Sequence, residues 1–254
     1  MADRPSVVVT GAAGGIGQAM CTVLAEEGWA VVGVDLNAEA LDEVVSGLPG
    51  EGHAAVAGDI TDEAVMVAAV DTADSAAPLR GFVGNAGIIG PGDSVDYPLE
   101  QWNRLIDVML TGVFLGARVA GARMLANGAG GSMVMTSSIA GLLGFGARAS
   151  YCAAKAGVNG LVRSLAVEWG AQGIRVNGVA PGAIVTPLQK AMIATGHSQA
   201  DQYLTHIPMD RLGDPREIAD VAAYLLSDRA SYVTGTVIPV DGGWTAFGLA
   251  THPS

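Results

Sequence analysis

Charged and aromatic residues are scarce in this sequence, and cysteine is nearly absent. Of 254 residues only 15% are charged and 5% aromatic, and Cys21 and Cys152 are the only cysteines. Two isolated cysteines form neither a disulfide framework nor a metal-ligand cluster, so we expect reduced thiols and a cytoplasmic protein. His197 and His206 lack cysteines or acids at ligand spacing, and no metal site is expected.

Basic residues are also few. Thirteen Lys and Arg against 25 Asp and Glu give a formal net charge of −12, so no basic surface is predicted that could bind phosphates. The apolar runs are interrupted well before the roughly 18 residues of a membrane span, and the N-terminus does not resemble a signal peptide. We therefore expect neither nucleic acid nor membrane as a partner.

Apolar residues and glycine are what the chain has in abundance. Half of the residues are hydrophobic and 36 are glycines, which indicates a folded protein with tight turns and a substantial buried core. No change in composition marks a linker. Residues 1–254 are therefore predicted to form one domain.

The first structured segment predicts a nucleotide site. The run SVVVT at 6–10 is typical of a buried parallel strand, and it leads through Gly11, Gly15 and Gly17 into a helical stretch. A glycine turn at a helix N-terminus binds anions through backbone N–H groups. No Lys-Ser/Thr pair follows Gly17, whereas Asp35 ends the next strand 18 residues later, close to the spacing for a ribose-binding acid. This combination favours a dinucleotide over a nucleoside triphosphate.

Strands and helices alternate along the remaining chain. Strands are predicted at 6–10, 30–34, 54–58, 79–84, 132–137, 174–180 and 236–240, and helices from the first glycine turn to 28 and at 38–46, 62–73, 98–127 and 150–169. This order predicts an α/β fold with a parallel sheet. Ligands bind at the carboxyl ends of such strands, where Gly11, Asp35, Asp59, Asn85, Ser138 and Pro181 are expected.

Tyr151 and Lys155 are four residues apart in a predicted helix and therefore share one face. An ammonium group near a phenol lowers its pKa and makes it a usable acid or base near neutral pH. Tyr-x-x-x-Lys is common by chance, however, and a tyrosine in such a pair more often packs against the core with its hydroxyl in solvent. The pair alone does not decide between these interpretations.

Six motifs, taken in order, carry a family resemblance. They are Thr10-Gly-x-x-x-Gly15-x-Gly17, Asn85-Ala-Gly87, Ser138 thirteen residues before Tyr151, Tyr151-x-x-x-Lys155, Pro181-Gly-x-x-x-Thr186 and Asp241-Gly-Gly. Over nearly its whole length the chain resembles the short-chain dehydrogenase/reductase family. The resemblance implies a Rossmann-type, doubly wound, parallel seven-stranded sheet with helices on both faces. It also implies a nicotinamide cofactor, hydride transfer at a carbon that bears oxygen, and a homotetramer built on two long helices.

The resemblance also implies residue roles. Tyr151 would exchange the hydroxyl proton, Lys155 would lower its pKa and bind the nicotinamide ribose, and Ser138, rather than Ser137, would bind the substrate oxygen. Asp35 would accept hydrogen bonds from the ribose of NAD and repel the extra phosphate of NADP. The cofactor-binding residues would be Gly11, Gly15, Ile16, Gly17, Asp35, Leu36, Asp59, Ile60, Asn85, Ala86, Gly87, Tyr151, Lys155, Pro181, Gly182, Ile184 and Thr186.

Two positions depart from the family pattern. Gly84 stands where the family often has an asparagine, which puts part of the stabilisation of that strand end in doubt. Met109 stands where the family usually has a catalytic asparagine whose main-chain carbonyl holds a water linked to Lys155. Methionine keeps that carbonyl, and we expect it to serve if the helix exposes it; the sign would be a local departure from i→i−4 hydrogen bonding, with an inserted water, at Met109.

The substrate side is less defined by sequence. Residues 187–212 resemble a substrate lid, and the methionines there predict either an adaptable apolar pocket or ordinary core packing. Our main hypothesis is an NAD-dependent alcohol dehydrogenase or carbonyl reductase for a small or medium, largely apolar secondary alcohol or ketone. The alternative is a catalytically weak NAD-binding sensor or scaffold.

Overall fold

Seven parallel strands form one sheet in the computed structural model, which describes residues 4–186 and 203–248. The strands are β1 (Ser6–Thr10), β2 (Ala30–Asp35), β3 (Ala54–Ala57), β4 (Leu79–Gly84), β5 (Gly131–Thr136), β6 (Ile174–Pro181) and β7 (Val237–Val240). Their order is β3-β2-β1-β4-β5-β6-β7, and every pair of neighbours is parallel. Successive strands are added on one side of β1 up to β3 and on its other side from β4 onward. In doubly wound folds ligands bind at this switch point between β1 and β4.

Helices follow most of the strands. They are α1 (Gly15–Glu26), α2 (Ala38–Ser46), α3 (Glu63–Ala76), α4 (Leu99–Ile106), α5 (Gly112–Asn127), α6 (Ala149–Trp169) and α7 (Pro215–Leu226). A π-helical segment, Asp107–Thr111, joins α4 to α5. The predicted strands and helices agree with these to within a few residues, but α7 was not predicted.

Side chains on the two faces of the sheet build two separate cores. On β1, Val7 and Val9 pack in one core with α1, α2 and α7, while Val8 lies in the other core with α3, α5 and α6. Successive strand side chains point to opposite faces, so the run SVVVT is buried throughout because both faces are covered. The predicted doubly wound sheet with helices on both faces is confirmed.

Among the residues that the structure describes, one helical stretch is long and apolar enough to cross a membrane. Leu99–Asn127 has 29 residues and a mean hydropathy of 1.6, and half (50%) of its most apolar window is buried inside the fold. The sequence predicts no such stretch, because its apolar runs are interrupted well before the length of a membrane span. Leu99–Asn127 nevertheless passes a test of length and composition. A core helix of a soluble protein passes the same test, and Phe82 of the sheet packs closely against α5 at Gly116.

The predicted lid lies mostly outside the described residues, which resume at Tyr203. Within the described part, Ile207 is buried against the turn at Gly242, and Met209 is 60% exposed. Met209 therefore does not pack in the core. Residues 187–202, with Met192 and His197, and residues 249–254 of the tail lie outside the described part of the chain.

Candidate active site

A cavity of about 570 Å³ opens at the carboxyl ends of the strands. Its lining brings together residues that are far apart in sequence, from the glycine turn after β1 to the segment after β6. The predicted site residues among them are Gly11, Gly15, Ile16, Gly17, Asp35, Asn85, Ala86, Gly87, Met109, Ser138, Tyr151, Lys155, Pro181, Gly182, Ile184 and Thr186.

Three residues predicted to bind the cofactor lie outside this lining. Leu36 is 64% exposed next to Asp35, and Ile60 is buried against α5. Asp59 accepts hydrogen bonds from the backbone and hydroxyl of Thr61 and pairs with Arg104 at 3.0 Å. These contacts, first the Thr61 backbone, hold the pKa of Asp59 below its usual value.

The glycine turn fits a phosphate group. Gly11 has a φ of +66°, which favours glycine, and a Cβ on Gly17 would lie 1.9 Å from the Gly11 carbonyl oxygen. Helix α1 then begins with no side-chain cap at Gly14 and no acid in its first turn. The first N–H groups of α1 are thus left to an anion in the cavity, and the positive end of the helix dipole favours one there.

Asp35 is held at the end of β2 by two backbone groups. One carboxylate oxygen accepts from Ala13 N and the other from Asn37 N, both at 3.1 Å. The cations in the described lining are Arg148 and Lys155, at the start of α6 and inside it. At the β2 end of the cavity the described lining therefore offers a carboxylate and no cation.

Asn85 joins the ends of three strands. Its Nδ2 donates to the carbonyl oxygens of Thr10 at 3.2 Å and Gly11 at 3.3 Å, and its Oδ1 accepts from the Thr136 hydroxyl at 3.2 Å. The Thr10 hydroxyl oxygen accepts in turn from the backbone N–H of Asn85 and of Ala86. The side chain of Asn85 thus holds the cavity floor together.

This network bears on the departure at Gly84. The ends of β1, β4 and β5 are tied together by Thr10, Asn85 and Thr136 without any side chain from Gly84. A Cβ at Gly84 would lie 3.1 Å from Val113 and 3.3 Å from Phe82, tighter than most such contacts. Glycine at this position therefore suits the packing beneath the site.

The two neighbouring serines after β5 have different surroundings. Ser137 is buried and donates to Asn159 Oδ1 at 2.5 Å, with the Lys155 carbonyl oxygen 3.3 Å away. Ser138 is half-buried, lines the cavity and accepts from Ala140 N at 3.1 Å. The hydroxyl of Ser138 is therefore the one with access to a substrate.

Tyr151 and Lys155 both line the cavity from α6, but they are not in direct contact. The Lys155 Nζ donates to the Thr136 carbonyl oxygen at 2.7 Å and lies 5.9 Å from the centre of the Tyr151 ring. Burial lowers the pKa of Lys155 to about 8. Burial also raises the pKa of Tyr151, and the Ser138 hydroxyl and the charge of Arg148 offset part of that rise. The sequence argument predicted a lowered phenol pKa, so its direction is wrong for this geometry because desolvation dominates.

The departure from α-helical hydrogen bonding expected at Met109 is present. Asp107–Thr111 is π-helical, and the N–H of Gly112 bonds to the carbonyl of Asp107, five residues back. Met109 is buried, lines the cavity and carries its methyl group close to Gly87. Such π segments leave carbonyl groups without their usual helical partner and occur frequently at functional sites.

Three aromatic residues, Phe145, Tyr203 and Trp244, line the cavity, and His206 stacks on Trp244 outside the lining. The Trp244 ring lies 5.3 Å from His206, 5.8 Å from Tyr203 and 5.9 Å from Phe145, measured between ring centres. Sequence reasoning missed most of this wall, although aromatic residues are rare enough in the chain to have singled it out. Further lining residues that it missed are Ala13, Gly14, Ile88, Ile89, Thr136, Ser137, Ile139, Ala140, Arg148 and Ala183.

Comparison with known proteins gives consistent matches over almost the whole chain. A family profile described as enoyl-(acyl carrier protein) reductase matches residues 11–245. Cis-4-hydroxycyclohexanecarboxylate dehydrogenase of Sinomonas cyclohexanicum is 44% identical over 94% of this chain and 96% of its own length. Cyclohexanol dehydrogenase of an Acinetobacter species (strain SE19) is 41% identical over 94% of each chain.

Solved structures agree with the fold. The crystal structure of levodione reductase matches with a TM-score of 0.89 and 37% identity, covering 95% of this chain and 98% of that one. A structure from Agrobacterium tumefaciens with bound NADP, described as a candidate 2-deoxy-D-gluconate 3-dehydrogenase, matches with a TM-score of 0.87 and 37% identity, covering 97% and 98%.

Proposed function

Since this chain belongs to the short-chain dehydrogenase/reductase family, whose members are oxidoreductases that use a nicotinamide cofactor, we propose that it transfers a hydride between NAD(H) and a largely apolar secondary alcohol or ketone. The observation that carries the proposal is the single cavity that joins the glycine turn of α1 to Ser138, Tyr151 and Lys155. A nucleotide and a substrate can therefore meet beside one acid–base group.

NAD is the proposed cofactor, and it would supply the hydride acceptor. The first turn of α1 would hold its pyrophosphate, Asp35 its adenosine ribose and Lys155 its nicotinamide ribose. The segment after β6, with Gly182 and Thr186, would hold the nicotinamide end. A 2′-phosphate would meet the Asp35 carboxylate with no described cation beside it, so NADP is disfavoured even though one related structure contains it.

The proton chemistry is assigned to Ser138 and Tyr151. The Ser138 hydroxyl would bind the substrate oxygen and stabilise negative charge that develops there. The Tyr151 phenol would give its proton to a ketone oxygen or take one from an alcohol. Its raised pKa keeps the phenol protonated at neutral pH, which is the form needed for ketone reduction. In the oxidative direction the proton would leave through Lys155 and a water on a carbonyl of the π segment.

The substrate is proposed to carry an alicyclic ring. Two similar relatives are named for cyclohexane compounds that bear a hydroxyl group. In this chain Phe145, Tyr203 and Trp244 form an apolar wall of a suitable kind for such a ring. We also propose that the chain acts as one catalytic unit in the cytoplasm, with 187–212 covering the substrate.

Turnover measured by absorbance at 340 nm tests the proposal. Purified protein is given NAD with cyclohexanol and 4-substituted cyclohexanols, and NADH with the matching ketones, with a linear secondary alcohol for comparison. We expect turnover with cyclic substrates and a higher kcat/KM with NAD than with NADP. The contrary result is that the protein binds NADH, as seen by fluorescence, and turns over no alcohol or ketone. That result would favour the alternative function, a catalytically weak NAD-binding sensor or scaffold.

A further inference from the structure

Arg148 is a half-buried cation with no salt-bridge partner among the described residues. It lines the cavity from the N-cap of α6, one turn before Tyr151. Its Nη1 is shielded from solvent and has no hydrogen-bond partner in the structure. An unpaired buried donor on a charged group costs more free energy than an ordinary lost hydrogen bond, so such groups are rare unless they serve a function.

The position of Arg148 adds a second electrostatic cost. Helix α6 runs for 21 residues, and its N-terminus carries the positive end of the helix dipole. A cation is unfavourable there, whereas an anion is favourable. The residue before it, Ala147, has a φ of +55°, a left-handed conformation that is uncommon for a non-glycine residue. Both features indicate that stability has been given up at this point for a function.

The surroundings of Arg148 define what it could bind. Asp35 is the one carboxylate in the described lining, and it lies at the far end of the cavity, where it is held by Ala13 N and Asn37 N. The rings of Phe145 and Trp244 supply an apolar wall at the end where Arg148 lies. Of the two cations in the described lining, Lys155 is bonded to the Thr136 carbonyl, which leaves Arg148 for a ligand. A guanidinium beside an apolar wall suits a hydrocarbon that carries one negative charge.

We propose that the substrate is a hydroxy or keto acid with a hydrocarbon body, and that Arg148 binds its carboxylate while Tyr151 and Ser138 face its alcohol or ketone. A planar guanidinium can bind a carboxylate through two parallel hydrogen bonds, with the flexible side chain turning its head group into the cavity. A phosphate dianion fits less well, because the one positive charge of Arg148 would balance only half of its charge. This inference rests on the proposed function and specifies its substrate class.

Arg148 also affects Tyr151, and that effect has to be separated from substrate binding. The charge of Arg148 favours the ionised phenol, so its loss alone would raise the pKa of Tyr151 and slow turnover of every alcohol. A role in recognising a carboxylate, by contrast, changes the preference between a charged and an uncharged substrate. The ratio of the two kcat/KM values is therefore the informative quantity.

The test compares 4-hydroxycyclohexanecarboxylate with its methyl ester, which has the same ring and alcohol but no charge. We expect wild-type protein with NAD to prefer the acid by at least about tenfold in kcat/KM, the scale of a charge-assisted hydrogen bond. Arg148→Met should remove that preference, and Arg148→Lys should keep part of it. Arg163→Met is the matched control, because Arg163 is an exposed residue of the same helix outside the cavity lining. It should keep the wild-type ratio.

Two results would overturn the inference. One is a wild-type ratio near one, and the other is an Arg148→Met protein that loses activity on acid and ester equally. If neither compound is turned over, the proposed function fails, and calorimetric binding of cyclohexanecarboxylate to the NADH-loaded protein decides the inference separately. Affinity at least tenfold weaker in Arg148→Met than in Arg163→Met would support it, and equal affinities would refute it. Arg148→Gln replaces Arg148→Met if the latter does not fold.

Discussion

Tyr151 is subject to opposing effects on its pKa. Burial raises the pKa, while the Ser138 hydroxyl and the Arg148 charge lower it, and burial is the larger effect. The ammonium of Lys155 is bonded to the Thr136 carbonyl instead of the phenol. A spacing of four residues in sequence places both side chains on one face of α6, but it does not determine which acceptor the ammonium will find. For this reason the positions of the two residues were predictable and the direction of the pKa shift was not.

The phenol gives the first prediction at the residue scale. Replacing Tyr151 with Phe removes the transferable proton and leaves the ring, so we expect kcat to fall at least about a hundredfold with little change in NADH affinity. Because the pKa of Tyr151 is raised, wild-type alcohol oxidation should increase with pH through the alkaline range. Steady-state rates and NADH fluorescence measure both. Tyr224→Phe, on α7, is the control, and a Phe variant that keeps most activity would mean that another group transfers the proton.

Lys155 gives a prediction about stability. Its pKa falls from 10.5 to about 8 on burial, so between these two pH values the unfolded chain binds more protons than the folded one. Stability should therefore rise with pH across that window relative to Lys155→Met, and at pH 7 the buried charge costs about 3 kcal/mol. Melting temperatures of both proteins from pH 7 to 10.5 test this. We expect the difference in melting temperature, variant minus wild type, to shrink as pH rises. A constant difference would show that the ammonium keeps its usual pKa in the folded protein.

Asp35 gives a prediction about cofactor choice. The carboxylate at the end of β2 has no described cation beside it in the cavity lining, and Leu36 next to it is exposed. Asp35→Ser combined with Leu36→Arg should therefore shift the ratio of kcat/KM from NAD towards NADP. Asp42→Ser on α2 makes the same loss of charge on an exposed residue and should leave the ratio unchanged. Comparable use of NAD and NADP by the wild-type protein would contradict the assignment.

At the scale of the elements, periodicity located the sheet and its first helices well. Runs such as those of β1 and β4 have no other stable placement than between two helix layers, so their bounds followed from the sequence. Helix α7 was missed, although Asp214, Pro215 and Glu217 form a capping box with proline in the first turn. The missed aromatic wall has a different cause. Phe145, Tyr203 and Trp244 come from three segments that are far apart in sequence, and only the folded chain brings them together.

The π segment at Met109 is the element on which a prediction can be made most sharply. Its carbonyl is present whatever the side chain, and the thioether is buried beside Gly87. Met109→Asn should therefore change kcat only modestly while lowering the melting temperature, because a buried amide without partners is costly. Met109→Leu keeps an apolar side chain and should preserve both. A rise in kcat of a hundredfold or more in the Asn variant would indicate that the wild-type proton path is broken. It would favour the alternative function, a catalytically weak NAD-binding sensor or scaffold.

At the scale of the whole molecule, the candidate active site and a structural anchor lie at opposite ends of the strands. The carboxyl ends of the strands carry the cavity, and at the opposite edge Arg175 bonds the carbonyl groups of Leu225, Leu226, Ser227 and Val233 and so anchors the end of α7. Neither the cavity nor this anchor is visible in a short motif. Both depend on the order of strands, which is why the family resemblance placed the site more completely than local patterns did.

The last prediction concerns assembly. The resemblance implies a homotetramer built on two long helices, which here are α5 and α6, and these expose the apolar side chains of Phe114, Leu125 and Val167, the last to 86%. Apolar side chains on neighbouring helices favour contact with a second copy over contact with water. Light scattering after size exclusion should therefore give about four times the chain mass of 25.6 kDa. Phe114→Asp with Val167→Asp should lower that mass, because charge would be buried at the contact. Val67→Asp, on α3, should leave it unchanged. A wild-type protein with the mass of one chain would refute the assembly, and the exposed side chains of α5 and α6 would then require another partner.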